Sequence, residues 1–283
     1  MTGPTRRFHE SLFGHIKRPP LDPSWPDSWR YSHGHDVDSV WPGVTARGYR
    51  VAYRHRFARA VDYVLEAKPD GGRVLDLAAG QGNFSIVLAE LGYHVTWNDL
   101  RDELVGYVRL KTDRQDIRFL PGNLFELPPE RVGRFDAVVA TEIIEHVAHP
   151  DDFLRKLAGF LEPGGVIVLT TPNGRYFRNT LPRFSDCPDP SQFEALQFKP
   201  DADGHIFLLY PDEIVTLAAK AGLKVDKFSV FNNPLTAENL KTRYLSPILP
   251  YGLVDAIERG TQALPAALSQ RLHMQWAALL SRA

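Results

Sequence analysis

Short apolar runs bounded by Gly, Pro, Asp or Asn recur along the middle of the chain, separated by stretches with apolar residues at three- and four-residue intervals. The runs at Arg73–Leu77, His94–Asn98, Ile117–Leu120, Phe135–Ala140, Val166–Thr170 and Lys224–Phe231 predict strands. Helices are predicted near 82–92, 101–113, 150–161 and 211–221. From about Ala46 to Lys68 the spacing of Val51, Phe57, Ala58, Val61, Val64 and Leu65 predicts another helix, stopped by Pro69 and Gly71-Gly72. Strands alternating with helices predict an α/β, doubly wound, mostly parallel Rossmann-like sheet. Glu162-Pro163-Gly164-Gly165 predicts a hard turn before the fifth strand. The apolar run Gln275–Leu280 fits either a last strand, the seventh, or a buried helix, which periodicity alone does not separate.

Three stretches break this rhythm. Residues 1–45 combine Pro19-Pro20, Pro23, Pro26 and Pro42 with Trp25, Trp29, Tyr31 and Trp41, too proline-broken for long helices, and are read as an N-terminal arm or lid. Within it Tyr31-Ser32-His33-Gly34-His35-Asp36 is read as a local turn. The core then spans 46–231, with an insertion at 172–210 that is the candidate substrate cover. That insertion carries Asn173, Arg175, Tyr176, Arg178 and Arg183 ahead of Phe184, Phe193 and Phe198; such residues serve equally to bind a sugar, ring or phosphate or to pin the loop. Residues 232–283 are read as a helical insertion, suited to oligomerisation, followed by the run that fits either a last strand or a buried helix.

Composition narrows the function classes. With 283 residues, 43% of them hydrophobic, the chain can bury a sizeable core. The 33 Lys+Arg against 34 Asp+Glu give a net charge of -1, which argues against non-specific nucleic-acid or anionic-membrane binding. The single cysteine, Cys187, forms no internal disulfide and no thiol zinc cluster, so the reading is a reduced, cytoplasmic protein without a membrane span.

The strongest chemical signal is Val74-Leu75-Asp76-Leu77-Ala78-Ala79-Gly80-Gln81-Gly82-Asn83-Phe84-Ser85, an apolar strand running into a small-residue turn and then a helix. Gly80 and Gly82 allow close backbone approach of a ligand, and the helix start offers unsatisfied N–H groups. Asp99 ends the next strand, where an acid can accept both hydroxyls of a ribose. A dinucleotide fingerprint would place a third glycine where Ser85 stands. The arrangement instead resembles the class I S-adenosylmethionine-dependent methyltransferases. The resemblance runs from about Arg73 to Phe231 and includes Phe135–Val139, Glu142–Val147 and Leu161–Gly165, with Ala78 in place of the family's first glycine.

That resemblance implies S-adenosylmethionine as cofactor and assigns roles residue by residue. Asp76 supports the methionine amino group, Ala78, Ala79, Gly80 and Gly82 supply backbone around it, and Asp99 takes the ribose hydroxyls. Leu100 lies against the adenine, Asn123, with Leu124 beside it, meets the adenine amino group through its side-chain oxygen, and Thr141 completes the pocket. Arg54 or Arg56 is placed to pair with the cofactor carboxylate; the simpler reading of Arg47, Arg50, Arg54, Arg56 and Arg59 is a solvated helix face.

After the fourth strand, Glu142-Ile143-Ile144-Glu145-His146 places two carboxylates and an imidazole at i, i+3 and i+4 of an expected helical turn. Glu142, Glu145, His146 and, from the insertion, His205 form a candidate ligand set for Mg or Mn. This looks like two branches of the superfamily, the ubiquinone-pathway O-methyltransferases and the small-RNA terminal ribose 2′-O-methyltransferases. Both are recognised as using Glu-x-x-Glu-His and a later His around a divalent metal, on substrates with two adjacent hydroxyls. Metal-free chemistry with His146 as general base, Glu145 beside it, and a purely structural role stay open. His149 is read as a solvent-facing cap before Pro150.

The resulting expectation is O-methylation of a hydroxyl on a small molecule or glycan intermediate, including a metal-chelated vicinal diol or catechol. The alternatives are N-methylation of an amine or amino sugar, RNA ribose O-methylation, which the neutral charge disfavours, and a non-enzymatic cofactor-binding scaffold or sensor.

Overall fold

The structure is a computed structural model that describes residues 12–41, 47–197, 204–237 and 250–283. Phe198, the first residues of the arm and 238–249 of the second insertion lie outside the described residues. The strands β1 (Arg73–Leu77), β2 (His94–Asn98), β3 (Arg118–Phe119), β4 (Phe135–Thr141), β5 (Leu161–Pro172), β6 (Leu223–Phe231) and β7 (Gln275–Arg282) form one sheet. Its order is β3-β2-β1-β4-β5-β7-β6, with β7 antiparallel to both neighbours and the pairings among β1–β5 all parallel. The apolar run at 275–280 is therefore a strand, buried from Trp276 to Leu280 between β5 and β6.

Two layers of helices cover the sheet: α1 (Asp27–Ser39), α2 (Arg47–Ala67), α3 (Asn83–Glu90) and α4 (Leu104–Leu110) on one face, α6 (Pro150–Gly159) and α7 (Pro211–Lys220) on the other, with short α5 (Pro129–Val132) leading into β4. Because side chains alternate along a strand, Val74, Val139 and Val168 meet Phe57, Phe84 and Tyr107, while Leu75, Val138 and Ile167 meet Phe153, Leu157 and Ile214. Beyond β6, α8 (Tyr251–Gln262) is tied down by buried Glu258, whose carboxylate accepts the backbone N–H groups of Asn232 and Asn233 at 2.7 and 2.9 Å. The last helix, α9 (Ala266–Leu272), leads into β7.

Three expectations are corrected. The proline-rich arm contains a 13-residue helix, α1, which packs on α2 and α4. Its buried residues are Ser32, His33, Asp36 and Ser39, so the expected Tyr31–Asp36 turn is helical. The predicted hard turn at Glu162–Gly165 lies inside β5 as a bulge: pairing with β4 jumps from Phe135↔Leu161 to Ala137↔Val166, and Gly164 absorbs the excess length at φ 74°. The arginines of α2 do not form a solvated face: each is buried or half-buried, and Arg54 is covered by the arm. Arg50 is buried, and Arg54 stacks on Phe13 and donates to Val40 O.

Candidate active site

The order reversal between β1's two neighbours, β2 and β4, opens a crevice at the carboxyl ends of these strands, where open α/β sheets bind ligands. The loop leaving β1 turns through left-handed Ala78, Gly80 and Gly82 at φ 54°, 49° and 71°. Gly82 must be glycine: a Cβ there would stand 2.7 Å from Val108 Cγ1. Ala78 holds the same backbone region without that freedom, a local strain of the kind that gathers at functional sites.

The loop is tied to the acid that follows β2. Gly80 N donates to Asp99 Oδ2 at 2.8 Å, and Trp97 Nε1 donates to Gly80 O at 3.1 Å. Asp99 also accepts Arg101 Nε at 2.9 Å, an ion pair that sequence reasoning missed although Arg101 lies only two positions on. Behind the loop Asp76 is fully enclosed, and Ser85 Oγ donates to its Oδ2 at 2.6 Å. Burial pushes its carboxyl up to about 7, against the lowering effect of the Ser85 bonds.

The native state therefore binds the Asp76 proton more tightly than the unfolded chain does, and its stability falls as pH rises from about 4 to about 7. Asp76→Asn removes this titration. The melting temperature of the cofactor-free variant, minus that of the parent protein, is expected to increase with pH across this window and level off above it. The scale is a few kcal/mol. A difference independent of pH would refute the assignment.

Two adjoining cavities occupy the crevice. The larger, about 360 Å³, is lined by Ala78, Asp99, Leu100, Asn123, Leu124, Glu142, His146 and His205 among others; the smaller, about 180 Å³, by Ala79, Gly80, Thr141, Asn83, His35, Tyr53 and Arg56 among others. Ala78, Arg101 and Glu142 line both. Asp76, Gly82 and Glu145 stand behind the lining residues. Asn123 Oδ1 already accepts Phe125 N at 3.2 Å, and one further acceptor position on that oxygen remains for a ligand. Of the two arginines considered for the cofactor carboxylate, Arg56 reaches the smaller cavity and Arg54 does not. His35, read from sequence as part of a turn, reaches it from α1, hydrogen-bonded to the Tyr49 hydroxyl at 2.7 Å.

At the end of β4 the expected helical turn is replaced by left-handed Glu142, at φ 51°, and a 3-10 turn over Ile144–His146. Glu142 is thereby rotated away from its expected neighbours. Its carboxylate accepts Thr170 Oγ1 at 3.0 Å and Gln275 Nε2 at 2.6 Å, and pairs with Arg56 at 3.2 Å. Glu145, His146 and His205 are brought together, each offering a ligand atom within 4.8 Å of the others. Glu145 is fully buried; Thr171 Oγ1 donates to its Oε2 at 2.8 Å, whereas Oε1 has no hydrogen-bond partner among the described residues. Burial, reinforced by Glu142, holds this carboxyl well above the usual range. His146 Nδ1 donates to Gly204 O at 3.1 Å, which fixes the tautomer and leaves the lone pair on Nε2. Desolvation and the neighbouring His146 lower the pKa of His205.

The insertion is fastened to this turn rather than laid loosely over it. Ile206 N donates to Glu145 O at 2.7 Å, Ala148 N donates to Gln197 Oε1 at 2.9 Å, and His149, expected to face solvent, pairs with Glu194 at 2.8 Å. Phe184 and Phe193 pack edge-on against Phe207, and Arg183 lies over Tyr210, so these residues pin the loop.

Sheet order, the glycine loop after β1 and the acid after β2 that it is tied to together define a Rossmann-like fold. Residues 49–227 match the family described as "Methyltransferase domain", and the chain belongs to it: it is an S-adenosylmethionine-dependent methyltransferase. It is 31% identical over 172 residues to "Ubiquinone biosynthesis O-methyltransferase" of Xanthomonas axonopodis pv. citri (strain 306), covering 60% of this chain and 70% of the relative. The protein of the same name from Caulobacter vibrioides is 32% identical over 184 residues, covering 64% and 70%. Among solved structures, magnesium protoporphyrin IX methyltransferase (ChlM) from Synechocystis PCC 6803 matches with a TM-score of 0.53 at 16% identity, covering 91% of this chain and 94% of that one. The CcbJ methyltransferase from Streptomyces caelestis matches at 0.51 and 17%, covering 87% and 97%. At these identities the structural likeness is one of fold. No helix among the described residues is long and apolar enough to cross a membrane.

Proposed function

We propose that the chain O-methylates a hydroxyl of a small molecule or glycan intermediate that carries two adjacent hydroxyls, a catechol or a vicinal diol. The observation that carries this reading is the convergence of Glu145, His146 and His205 beside the cavity that holds Asp99. The names of the curated relatives support the O-methyl outcome. The adenosine half of S-adenosylmethionine is assigned to the larger cavity, with its ribose on Asp99 and its adenine beside Leu100, Asn123 and Leu124. The methionine half is assigned to the smaller one, among Ala79, Gly80 and Thr141, with Gly82 and Asp76 behind the lining residues. Arg56 Nε, buried without a hydrogen-bond partner among the described residues, suits the methionine carboxylate.

The three-residue group fits a transition-metal dication such as Mn better than Mg, which prefers an all-oxygen shell: two imidazoles and a carboxylate whose Oε1 lacks a partner among the described residues are a nitrogen-rich donor set. When bound, such a cation lowers the pKa of a coordinated hydroxyl. Glu145, His146 and His205 would hold it, while Glu142 stays committed to Arg56 and Gln275. Without a cation, His146 Nε2 is the acceptor for the hydroxyl proton as the oxygen takes the methyl group.

Titrating Mn²⁺ calorimetrically into chelator-stripped protein saturated with S-adenosylhomocysteine tests the metal directly. One equivalent is expected to bind, and binding should vanish in Glu145→Ala/His146→Ala. No binding in the parent protein would discard the cation, leave His146 as the base, and restore amines to equal standing with hydroxyls as acceptors.

A further inference from the structure

Five side chains from the arm and three neighbouring segments meet in an enclosed polar cluster behind the smaller cavity. Asp36 of α1 and Lys111, immediately after α4, are both completely buried and paired at 2.7 Å. Lys111 Nζ also donates to Asn83 Oδ1 at 2.6 Å. Asn83 Nδ2 donates in turn to Asp36 Oδ1 at 2.8 Å and to the Tyr53 hydroxyl at 2.9 Å, and the Tyr107 hydroxyl donates to Asp36 Oδ2 at 2.7 Å. Both protons of the Asn83 amide and its oxygen are thus engaged. Asn83 is the first residue of α3, directly after Gly82, and it lines the smaller cavity together with Tyr53 and His35.

Desolvation largely cancels the Coulomb attraction of an enclosed ion pair, so such a pair contributes little net stability, and its best-attested use is to fix how elements register. Here the elements are the arm helix and the turn of the glycine loop. A second attachment holds the same helix: Trp29 Nε1 donates to Glu103 O at 2.7 Å, and the Trp29 ring fills the space over Gly106, where a Cβ would stand 2.3 Å from it. With α1 so fixed, His35 is presented to the cavity and Asp36, the next residue, to the cluster.

We propose that Asp36 and Lys111 are positioning residues for the cofactor: acting through Asn83, they set the first turn of α3 against the glycine loop. Affinity for the S-adenosyl ligand then depends on the arm, although neither residue lines either cavity. This rests on the assignment of the two cavities to that ligand.

The test uses the full chain and S-adenosylhomocysteine. Asp36→Leu/Lys111→Met removes both charges at once, leaving no unpaired ion. Because the Asn83 amide and the Tyr107 hydroxyl lose partners, the variant is expected to melt cooperatively but below the parent temperature, and, assayed well below its own melting temperature, to bind the ligand about tenfold more weakly. A folded variant that binds within about twofold of the parent would overturn the proposal. Hydrogen exchange on the unaltered protein provides a measurement that needs no variant. Adding the ligand should raise protection across residues 27–39 as well as 83–90, and protection confined to 83–90 would overturn the coupling. Asp99→Ala separates the two levels of failure. If it loses ligand while the double variant does not, the coupling alone is wrong; if it binds normally, the cavity assignment is wrong and the coupling falls with it.

Discussion

Asp99→Ala is expected to weaken S-adenosylhomocysteine binding about 100-fold, the loss of two charge-assisted hydrogen bonds to a ribose diol. The acid is well prepared for that role. It is buried at the mouth of the larger cavity, Gly80 N already orients Oδ2, and the Arg101 guanidinium compensates its charge. The substitution empties little space and sits at the carboxyl end of β2 rather than in either apolar cluster; it frees Gly80 N and Arg101, the latter partly open to water, so the ligand-free protein should melt modestly lower but still cooperatively. Calorimetric binding alongside thermal melting checks both halves. Unchanged affinity would remove the ribose from Asp99, and a collapse of the fold would make Asp99 a structural residue.

For His146→Ala the expected split is the reverse: turnover of a catechol acceptor falls about 10²- to 10⁴-fold while S-adenosylhomocysteine affinity stays nearly constant. The ring borders the larger cavity and its Nδ1 is spent on Gly204 O, so what the variant removes is Nε2, the atom that serves either as base or as ligand. Methyl transfer measured at saturating cofactor isolates that loss. Activity equal to the parent's would eliminate both proposals for the imidazole, and an equal fall in cofactor affinity would move His146 into the cofactor pocket.

Much of the framework is legible in the chain because β1, β2 and β4 are short apolar strands buried on both faces, each ending at a residue that lines the crevice. The arm helix is not legible for the opposite reason. Its buried face is made of Ser32, His33, Asp36 and Ser39, so a search for apolar periodicity sees nothing, and Lys111 reads as one more exposed lysine until its partner is placed beside it. At the site, contiguous residues such as Ala78–Gly82 and Glu145-His146 can be located by motif, and His205 by residue type. Arg101, Thr171 and Gln275 meet their carboxylates through tertiary approach or a turn geometry that no spacing encodes. Glu142 shows the limit most clearly, since helical spacing would point it at Glu145 and His146, and a single left-handed residue sends it to Arg56 instead.

The position of β7 has a consequence for the order of assembly. Residues 275–282 lie between β5 and β6, and among the described residues β6 has no other strand neighbour. During synthesis the first five strands can associate as they emerge, but β6 has no hydrogen-bonding partner in the sheet until residues far later in sequence arrive. Meanwhile the edge of β5 that will receive β7 presents unpaired backbone groups to any other extended chain. The closing step joins segments distant in sequence and buries Trp276 on the α6–α7 face, against Phe228 and with its Nε1 donating to Leu209 O, so for this topology it is expected to be the slow, aggregation-exposed stage of folding.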